Sequence, residues 1–210
     1  MAQIGDQYPV NLEIDYPEAP DRVTTLFRVF TVIPIAIILS LLNGPGYRTE
    51  DGTGWNAAFG GAGVLFAAVV LMLLFRQKYP RWWFDWNYNL TRFATRVGAY
   101  FALLMHVYPA TDEDQTVHLD IPYPNAPVDL NRWLPLIKWF LAIPHYIVLF
   151  FLNIAAFIVT IIVWFAILIT GRYPEDFFGF VVGVFRWNLR VFAYAFLLTT
   201  DRYPPFRLSP

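Results

Sequence analysis

The sequence predicts an all-α membrane protein, with four transmembrane helices in two hairpins, two interfacial amphipathic helices, and short β-strands forming a small cytoplasmic sheet. Three observations lead to this fold class. Hydrophobic residues make up 57% of the 210 residues and charged residues only 15%, against about 25% in soluble proteins. The apolar residues are gathered in runs long enough to cross a bilayer. Seven of the twelve tyrosines precede a proline, and these pairs frame two similar halves.

The similarity of the two halves predicts an internal duplication. Residues 79–104 align with residues 173–198 at an offset of 94 without a gap, and ten of the 26 positions are identical. Upstream, residues 16–20 match residues 123–127 around a shared Tyr-Pro pair. Similarity at a fixed offset is the sequence signature of a repeat. The predicted organisation is a first repeat over residues 1–109, a linker over 110–115 and a second repeat over 116–210.

Each repeat begins with a segment in which apolar and polar residues alternate. These segments are residues 10–14 (VNLEI) and residues 117–121 (VHLDI). A period of two that ends at a Tyr-Pro turn is typical of a short strand. Because both segments hold the same position in their repeats, we expect them to pair in one sheet.

Three apolar stretches predict the four spanning helices. They are residues 26–42, residues 57–75, and residues 133–170, which are long enough for two helices. The polar loop 43–56 of the first repeat has no counterpart in the second, so Asn153 is predicted to mark the tight turn of a helical hairpin. Pro34 and Pro144 lie at equivalent points inside a helix. Proline removes a backbone hydrogen bond there, so a matched kink is expected.

The third helix of each repeat, over residues 82–107 and 177–198, carries two arginines four residues apart on one helical face. An arginine at the centre of a spanning helix costs about 2.5 to 3.5 kcal/mol. These two helices are therefore predicted to lie along the membrane interface.

The distribution of basic residues predicts the orientation. With four spans, fourteen of the fifteen lysines and arginines fall on the side of the N-terminus, and Arg48 is the exception. With six spans, basic residues are scattered to both sides. The positive-inside rule favours the first distribution. We therefore expect a multi-pass protein of the bacterial inner (plasma) membrane with both termini in the cytoplasm.

The arginine pairs and nearby tryptophans are the candidate lipid- or partner-binding residues. They are Arg92, Arg96, Arg186, Arg190, Trp82, Trp83 and Trp187. A guanidinium group forms charge-assisted bidentate bonds with phosphate, and indole rings pack against acyl chains. The simpler interpretation of the tryptophans is an aromatic belt at the headgroup layer.

Catalytic and metal-binding patterns are missing from the sequence. The absence of cysteine excludes thiolate metal sites and thiol catalysis. The three histidines never have the spacing that puts two metal ligands on one helix face, and no nucleotide-binding or nucleophile motif is present. His145 has an alternative interpretation as a buried polar contact. We expect no enzyme activity, no catalytic residue, no metal, no cofactor and no nucleic-acid partner.

Three motifs resemble a known family. They are Thr170-Gly-Arg-Tyr-Pro174, Arg186-Trp-Asn-Leu-Arg190 and Thr200-Asp-Arg-Tyr-Pro-Pro-Phe206. They resemble a bacterial membrane protein family known as domain of unknown function 4389. The second half resembles a full copy of that domain. The first half resembles a divergent copy, with Gln77-Lys78-Tyr79-Pro80 in place of the first motif. The resemblance implies a membrane protein and carries no activity with it.

Two functions remain open at the level of the sequence. The first is an integral membrane accessory or scaffolding subunit of a larger assembly, whose partners are membrane lipids and either other membrane subunits or further copies of the chain. The alternative is a lipid or small-molecule transporter, or a lipid-binding membrane protein. Transporters usually have broken helices and polar residues at the midplane, whereas the predicted spans are almost wholly apolar.

Overall fold

The computed structural model is mostly helical, contains one small sheet, and describes residues 8–17, 20–42, 61–111 and 113–210. Its elements are β1 (Asn11–Ile14), α1 (Arg22–Leu42), α2 (Gly61–Arg76), α3 (Arg81–Phe101), β2 (Val117–Asp120), α4 (Ala126–Asp129), α5 (Pro135–Leu141), α6 (Ile143–Thr170), α7 (Glu175–Phe192) and a π-helical turn (Ala193–Leu197). The prediction of a helical protein with a small sheet is confirmed. The predicted loop 43–56 lies outside the described residues.

Strands β1 and β2 pair antiparallel, as their alternating sequences predict. Leu12 lies opposite Leu119, and Glu13 lies opposite His118. Both leucines are buried, while Glu13 and His118 are exposed. One face of the sheet therefore joins the protein core and the other meets the surroundings, which fixes the register.

The buried face of the sheet contributes to one large apolar core. Strand β1 packs against α7, and β2 packs against α3. Helix α6 packs along α7 and also against α1, which in turn contacts α3. The sheet thus links a strand near the N-terminus and a strand from the middle of the chain to the two helices that carry the predicted binding arginines.

The prediction of four spanning helices in two hairpins is wrong. Only two helices in the described part of the chain are long and apolar enough to cross a membrane, Ile143–Thr170 and Glu175–Leu197. The count reaches three if the bent α1 is one span. Helix α2 has only 16 described residues, so it falls short of the required length.

The predicted hairpin turn at Asn153 is wrong for a specific reason. Helix α6 continues through this residue for a total of 28 residues. The side-chain amides of Asn153 and Asn188 exchange two hydrogen bonds, of 3.2 and 3.1 Å, across to α7. The polar side chain of Asn153 is therefore satisfied by a residue of the neighbouring helix. The backbone of α6 can stay helical at this position.

The interfacial position of residues 177–198 stays a prediction, although by length and composition this helix is also a candidate span. In the most apolar 18-residue stretch of this helix, 67% is buried inside the protein. The predicted cost of Arg186 and Arg190 assumed that they face lipid. Both instead donate to carbonyl oxygens within the chain. Helix α3, with the other arginine pair, is not among the candidate spans.

Both predicted proline positions follow a bend or break. Helix α1 bends by 50° between Arg28 and Phe30, about one turn before Pro34. The helix containing Pro144 begins after a break at Ala142. Proline cannot donate to the carbonyl four residues earlier, and its ring crowds that carbonyl, so each bend falls on the preceding turn.

Tyrosines from the two predicted repeats make reciprocal contacts. The hydroxyl of Tyr16 donates to the carbonyl of Tyr173. The hydroxyl of Tyr123 donates to the carbonyl of Tyr79. In the sequence alignment Tyr16 corresponds to Tyr123, and Tyr79 corresponds to Tyr173. Each half therefore contributes the donor of one bond and the acceptor of the other.

The π-helical turn accounts for a one-residue shift between the halves. Leu103 and Leu198 share a left-handed backbone conformation, with φ of 65° and 58°. They are 95 positions apart, whereas upstream residues align at 94. A π-turn accommodates one extra residue within a helix. In backbone conformation Leu103 therefore resembles Leu198, whereas the ungapped alignment pairs it with Leu197.

Candidate functional site

Arg92 and Arg96 lie on α3 and bind the segment that follows this helix. Nη2 of Arg92 donates to the carbonyl oxygen of Thr111 at 2.9 Å. Nη1 of Arg96 donates to the carbonyl oxygen of Ala110 at 2.7 Å. Burial, and then the charge of Arg92, lowers the pKa of Arg96. These two hydrogen bonds hold the segment around residues 110 and 111 against α3. Binding of lipid or a partner by Arg92 and Arg96 stays a prediction.

Arg186 and Arg190 fasten two distant segments to α7. Nε of Arg186 donates to the carbonyl of Leu12 at 3.0 Å, and its Nη1 donates to the carbonyl of Leu208 at 3.1 Å. Nη1 of Arg190 donates to the carbonyl of Ser209 at 3.0 Å. Arginine suits this arrangement, since its planar fork presents five donors in fixed directions. The pair therefore holds β1 and the C-terminal segment in place.

The predicted tryptophans do not form one cluster. Trp82 is 67% exposed at the start of α3, and its ring meets that of Trp83 edge to face at 5.2 Å. Trp187 is buried, and its Nε1 donates to Nδ1 of His145 at 3.1 Å. The His145 ring stacks on Phe206 with centroids 4.0 Å apart. This geometry matches the alternative interpretation of His145 as a buried polar contact.

A buried ammonium group lies at the junction of α5 with the end of α7. The side chain of Lys138 is fully buried, and its Nζ lies 2.6 Å from Oδ1 of Asp201. The same Nζ donates to the carbonyl of Thr200 at 2.7 Å and lies 5.2 Å from the ring centre of Tyr194. Burial lowers the pKa of Lys138, and Asp201 acts in the opposite direction.

Arg28 is a second buried cation, and its guanidinium contacts a tyrosine and a histidine. Its Nη1 donates to the carbonyl of Tyr100 at 3.0 Å, and its guanidinium carbon lies 4.4 Å above the Tyr100 ring. Its Nη2 lies 3.2 Å from Nδ1 of His106. Burial, followed by the positive charge of Arg28, lowers the pKa of His106. The ring is therefore neutral at pH 7, and its Nδ1 accepts the hydrogen bond.

Neither of these two cations is among the binding residues that the sequence predicts, although the sequence contains a signal for them. The alignment places Arg28 on Lys138, and the offset of 95 after the π-turn places His106 on Asp201. A charge within an apolar helix needs a polar partner. The partners lie more than 60 residues away from each cation, so only the repeat alignment could have pointed to them.

A concavity of about 860 Å³ lies between α2, α3, α6 and α7. Most of its lining is apolar. The polar lining residues are Asn87, Thr91, Thr95, Tyr146, Asn153 and Asn188. The hydroxyl of Tyr146 is buried and has no hydrogen-bond partner in the part of the chain that the structure describes. Among the described residues, no group of three or more His, Asp or Glu side chains could hold a metal ion.

The comparisons with known proteins concern the second half of the chain. Residues 133–207 match a family described as Domain of unknown function (DUF4389). The match covers α5, α6, α7 and most of the C-terminal segment, and it contains all three motifs that carry the sequence resemblance. Comparison with curated proteins and with solved structures gives no match.

Proposed function

We propose that this chain is a non-catalytic accessory or scaffolding subunit of a larger membrane assembly. The observation that carries the proposal is the apolar surface of α6. In the most apolar 18-residue stretch of this 28-residue helix, only 22% is buried inside the protein. A surface of this length and composition needs lipid or another protein chain to cover it.

The outward surface of α6 has a shape suited to helix packing. Phe151, Ile158 and Phe165 are spaced by seven residues and are 64%, 52% and 55% exposed. This spacing puts them on one side of the helix, where a second helix can pack against them. Within a bilayer, helices associate through close packing rather than through the hydrophobic effect, so side-chain shape decides the partner.

A bacterial inner membrane with both termini in the cytoplasm remains the proposed location. If α6 and α7 are the two spans, both termini share one side of the membrane. Arg172 is then the single basic residue in the chain between the two spans, and Arg22 packs beside Gly171 at the same end of α6. Eleven of the fifteen lysines and arginines are assigned to the side of the termini. The positive-inside rule supports this orientation.

A cysteine in place of Arg172 tests the orientation, because the chain has no cysteine of its own. We expect an impermeant thiol reagent to label this position in whole cells. A cysteine at Ser209 should be labelled only after the cells are opened. Labelling of Ser209 but not of Arg172 in intact cells would contradict the proposed orientation.

We also propose that residues 1–109 and 116–210 are two copies of one unit. The reciprocal tyrosine bonds support this, as do the paired cations Arg28 and Lys138. The antiparallel strands add a third indication, since Leu12 pairs with Leu119, its counterpart in the alignment.

Recovery of partners with the tagged protein tests the scaffolding function. Phe151→Ala together with Phe165→Ala keeps α6 apolar enough to insert but changes its outward shape. We expect this variant to lose the membrane subunits that the unmodified protein retains in mild detergent. Phe30→Ala, on the exposed side of α1, is the matched control. Recovery of the same proteins in the same amounts with both variants would contradict scaffolding through α6.

Lipid binding is the second candidate function, and the concavity of 860 Å³ favours it. Its volume falls within the range of about 300 to 1,000 Å³ that is usual for ligand pockets.

A further inference from the structure

We propose that the concavity between α2, α3, α6 and α7 binds one uncharged lipid that carries a hydroxyl or ester group. This rests on the proposed membrane location, because the ligand comes from the bilayer. It does not depend on the proposed protein partners.

The lining excludes a charged headgroup. Among the described residues that line the concavity, none is Asp, Glu, Lys, Arg or His. Moving a phosphate or ammonium group from water into such surroundings is costly unless an opposite charge meets it. An uncharged lipid avoids this cost and still gains from contact between its chains and the apolar wall.

Three polar side chains form a row along one face of α3. Asn87, Thr91 and Thr95 are spaced by four residues, and all three are buried. Each hydroxyl of the threonines donates at 2.8 Å to the carbonyl four residues earlier. Their oxygens retain free lone pairs, since a hydroxyl offers one donor and two acceptor sites. The row can therefore accept a hydrogen bond from a ligand hydroxyl.

Tyr146 supplies the complementary donor from α6. Its hydroxyl oxygen is buried and finds no hydrogen-bond partner among the described residues, which is unusual for a polar group. The tyrosine lines the same concavity as the row on α3. An ester carbonyl or a hydroxyl of the ligand would satisfy it. A donor and an acceptor in one apolar concavity match the glycerol end of a neutral glycerolipid.

The concavity is open towards the apolar surface of the protein. Phe150 lines it and is 62% exposed on α6, while Phe192 and Phe196 line it and are 38% and 39% exposed near the end of α7. These rings continue into the outward surface of α6. A lipid can therefore enter sideways without passing through water.

Two lipids with identical chains test the inference. Dioleoylglycerol has a free hydroxyl and no charge, whereas dioleoylphosphatidylglycerol has the same two chains and an anionic phosphate. We expect the purified full-length protein in detergent to bind labelled dioleoylglycerol saturably, at about one molecule per chain. We expect binding of the anionic lipid to be at least about tenfold weaker, since its phosphate would be buried unpaired.

Two variants test whether dioleoylglycerol binds in the concavity. Tyr146→Phe removes one hydroxyl, and we expect it to weaken dioleoylglycerol binding by about fivefold, as for the loss of one hydrogen bond. Ala94→Phe puts a ring into the concavity and should abolish binding. Tyr108→Phe, an exposed phenol outside the lining, should leave binding unchanged. Thermal unfolding of each variant verifies that it is folded.

Equal affinity for the two lipids, or unchanged binding in both Tyr146→Phe and Ala94→Phe, would overturn the inference. Absence of saturable dioleoylglycerol binding would overturn it as well. The lipid measurement uses the isolated protein, and the scaffolding experiment measures recovered proteins. A negative result in the lipid measurement therefore does not affect the scaffolding experiment, and the converse also holds.

Discussion

The buried pair of Lys138 and Asp201 gives a quantitative test of how the fold tolerates charge. Asp201→Asn leaves the ammonium group of Lys138 buried at 0% exposure without its negative partner, so that its hydrogen-bond acceptors, the carbonyl of Thr200 among them, are all neutral. Removing one partner of a buried pair costs about 3 to 5 kcal/mol. The side chain of Asp201 is 23% exposed, so water can partly replace it. We therefore expect a loss near the lower limit, about 3 kcal/mol.

Lys138→Met removes the buried charge and keeps most of the side-chain volume. The carboxylate of Asp201 then retains the backbone N–H of Asn131, at 2.6 Å, and contact with water. We expect this variant to lose about 1 kcal/mol or less, because the expensive group is gone. The double variant should resemble Lys138→Met alone, which implies a coupling energy of about 2 to 3 kcal/mol between the two side chains.

The assay is reversible unfolding in mixed micelles, followed by tryptophan fluorescence as the fraction of denaturing detergent increases. His106→Asn is the matched control, since His106 holds the corresponding place beside Arg28 without a negative charge. It should cost about 1 kcal/mol, the value of an ordinary hydrogen bond. If Lys138→Met and Asp201→Asn lose equal stability and their effects add, the reasoning from a buried unpaired charge is wrong.

Three further predictions concern pH, the C-terminal segment and the sheet. Because the pKa of His106 is below its ordinary value of about 6.5, the unfolded chain takes up a proton before the folded one does. Stability should therefore fall as the pH drops below that value, and less so in His106→Asn; an equal pH dependence in both proteins would contradict this. Arg190→Gln removes the 3.0 Å bond to Ser209, so limited proteolysis should release the C-terminal residues faster than in Arg92→Gln; equal rates would argue against the anchor. Cysteines at the facing positions Glu13 and His118 should form a disulfide within one chain, whereas the pair Glu13 and Asp120, out of register, should not; crosslinks only between chains would assign the sheet to an oligomer.

The sequence was a reliable guide where the pattern is local. Alternation in the two strand segments predicted both strands, and their matched positions predicted their pairing. Proline chemistry predicted departures from straight helices near Pro34 and Pro144. The three motifs around Tyr173, Arg186 and Tyr203 predicted the family likeness, which covers residues 133–207.

The sequence failed where a polar side chain finds its partner far along the chain. Asn153 was predicted to mark a turn because the sequence of its own helix does not reveal its hydrogen bond to Asn188 on α7. Arg186 and Arg190 looked too costly for a spanning helix because their acceptors, such as Leu12 and Ser209, come from opposite ends of the chain. A local sequence pattern shows that a polar side chain needs a hydrogen-bond partner. It does not show which distant residue provides that partner.

Composition and periodicity by themselves determined that this protein belongs with membrane proteins, is mostly helical and carries one small sheet. Tertiary structure decided which helices are long enough to span, how the buried cations are neutralised, and where the concavity lies. The physical reason is that apolar content and strand alternation act within a few residues. The partners of Lys138 and Arg28, and the walls that place Tyr146 opposite α3, exist only once the two halves have packed together.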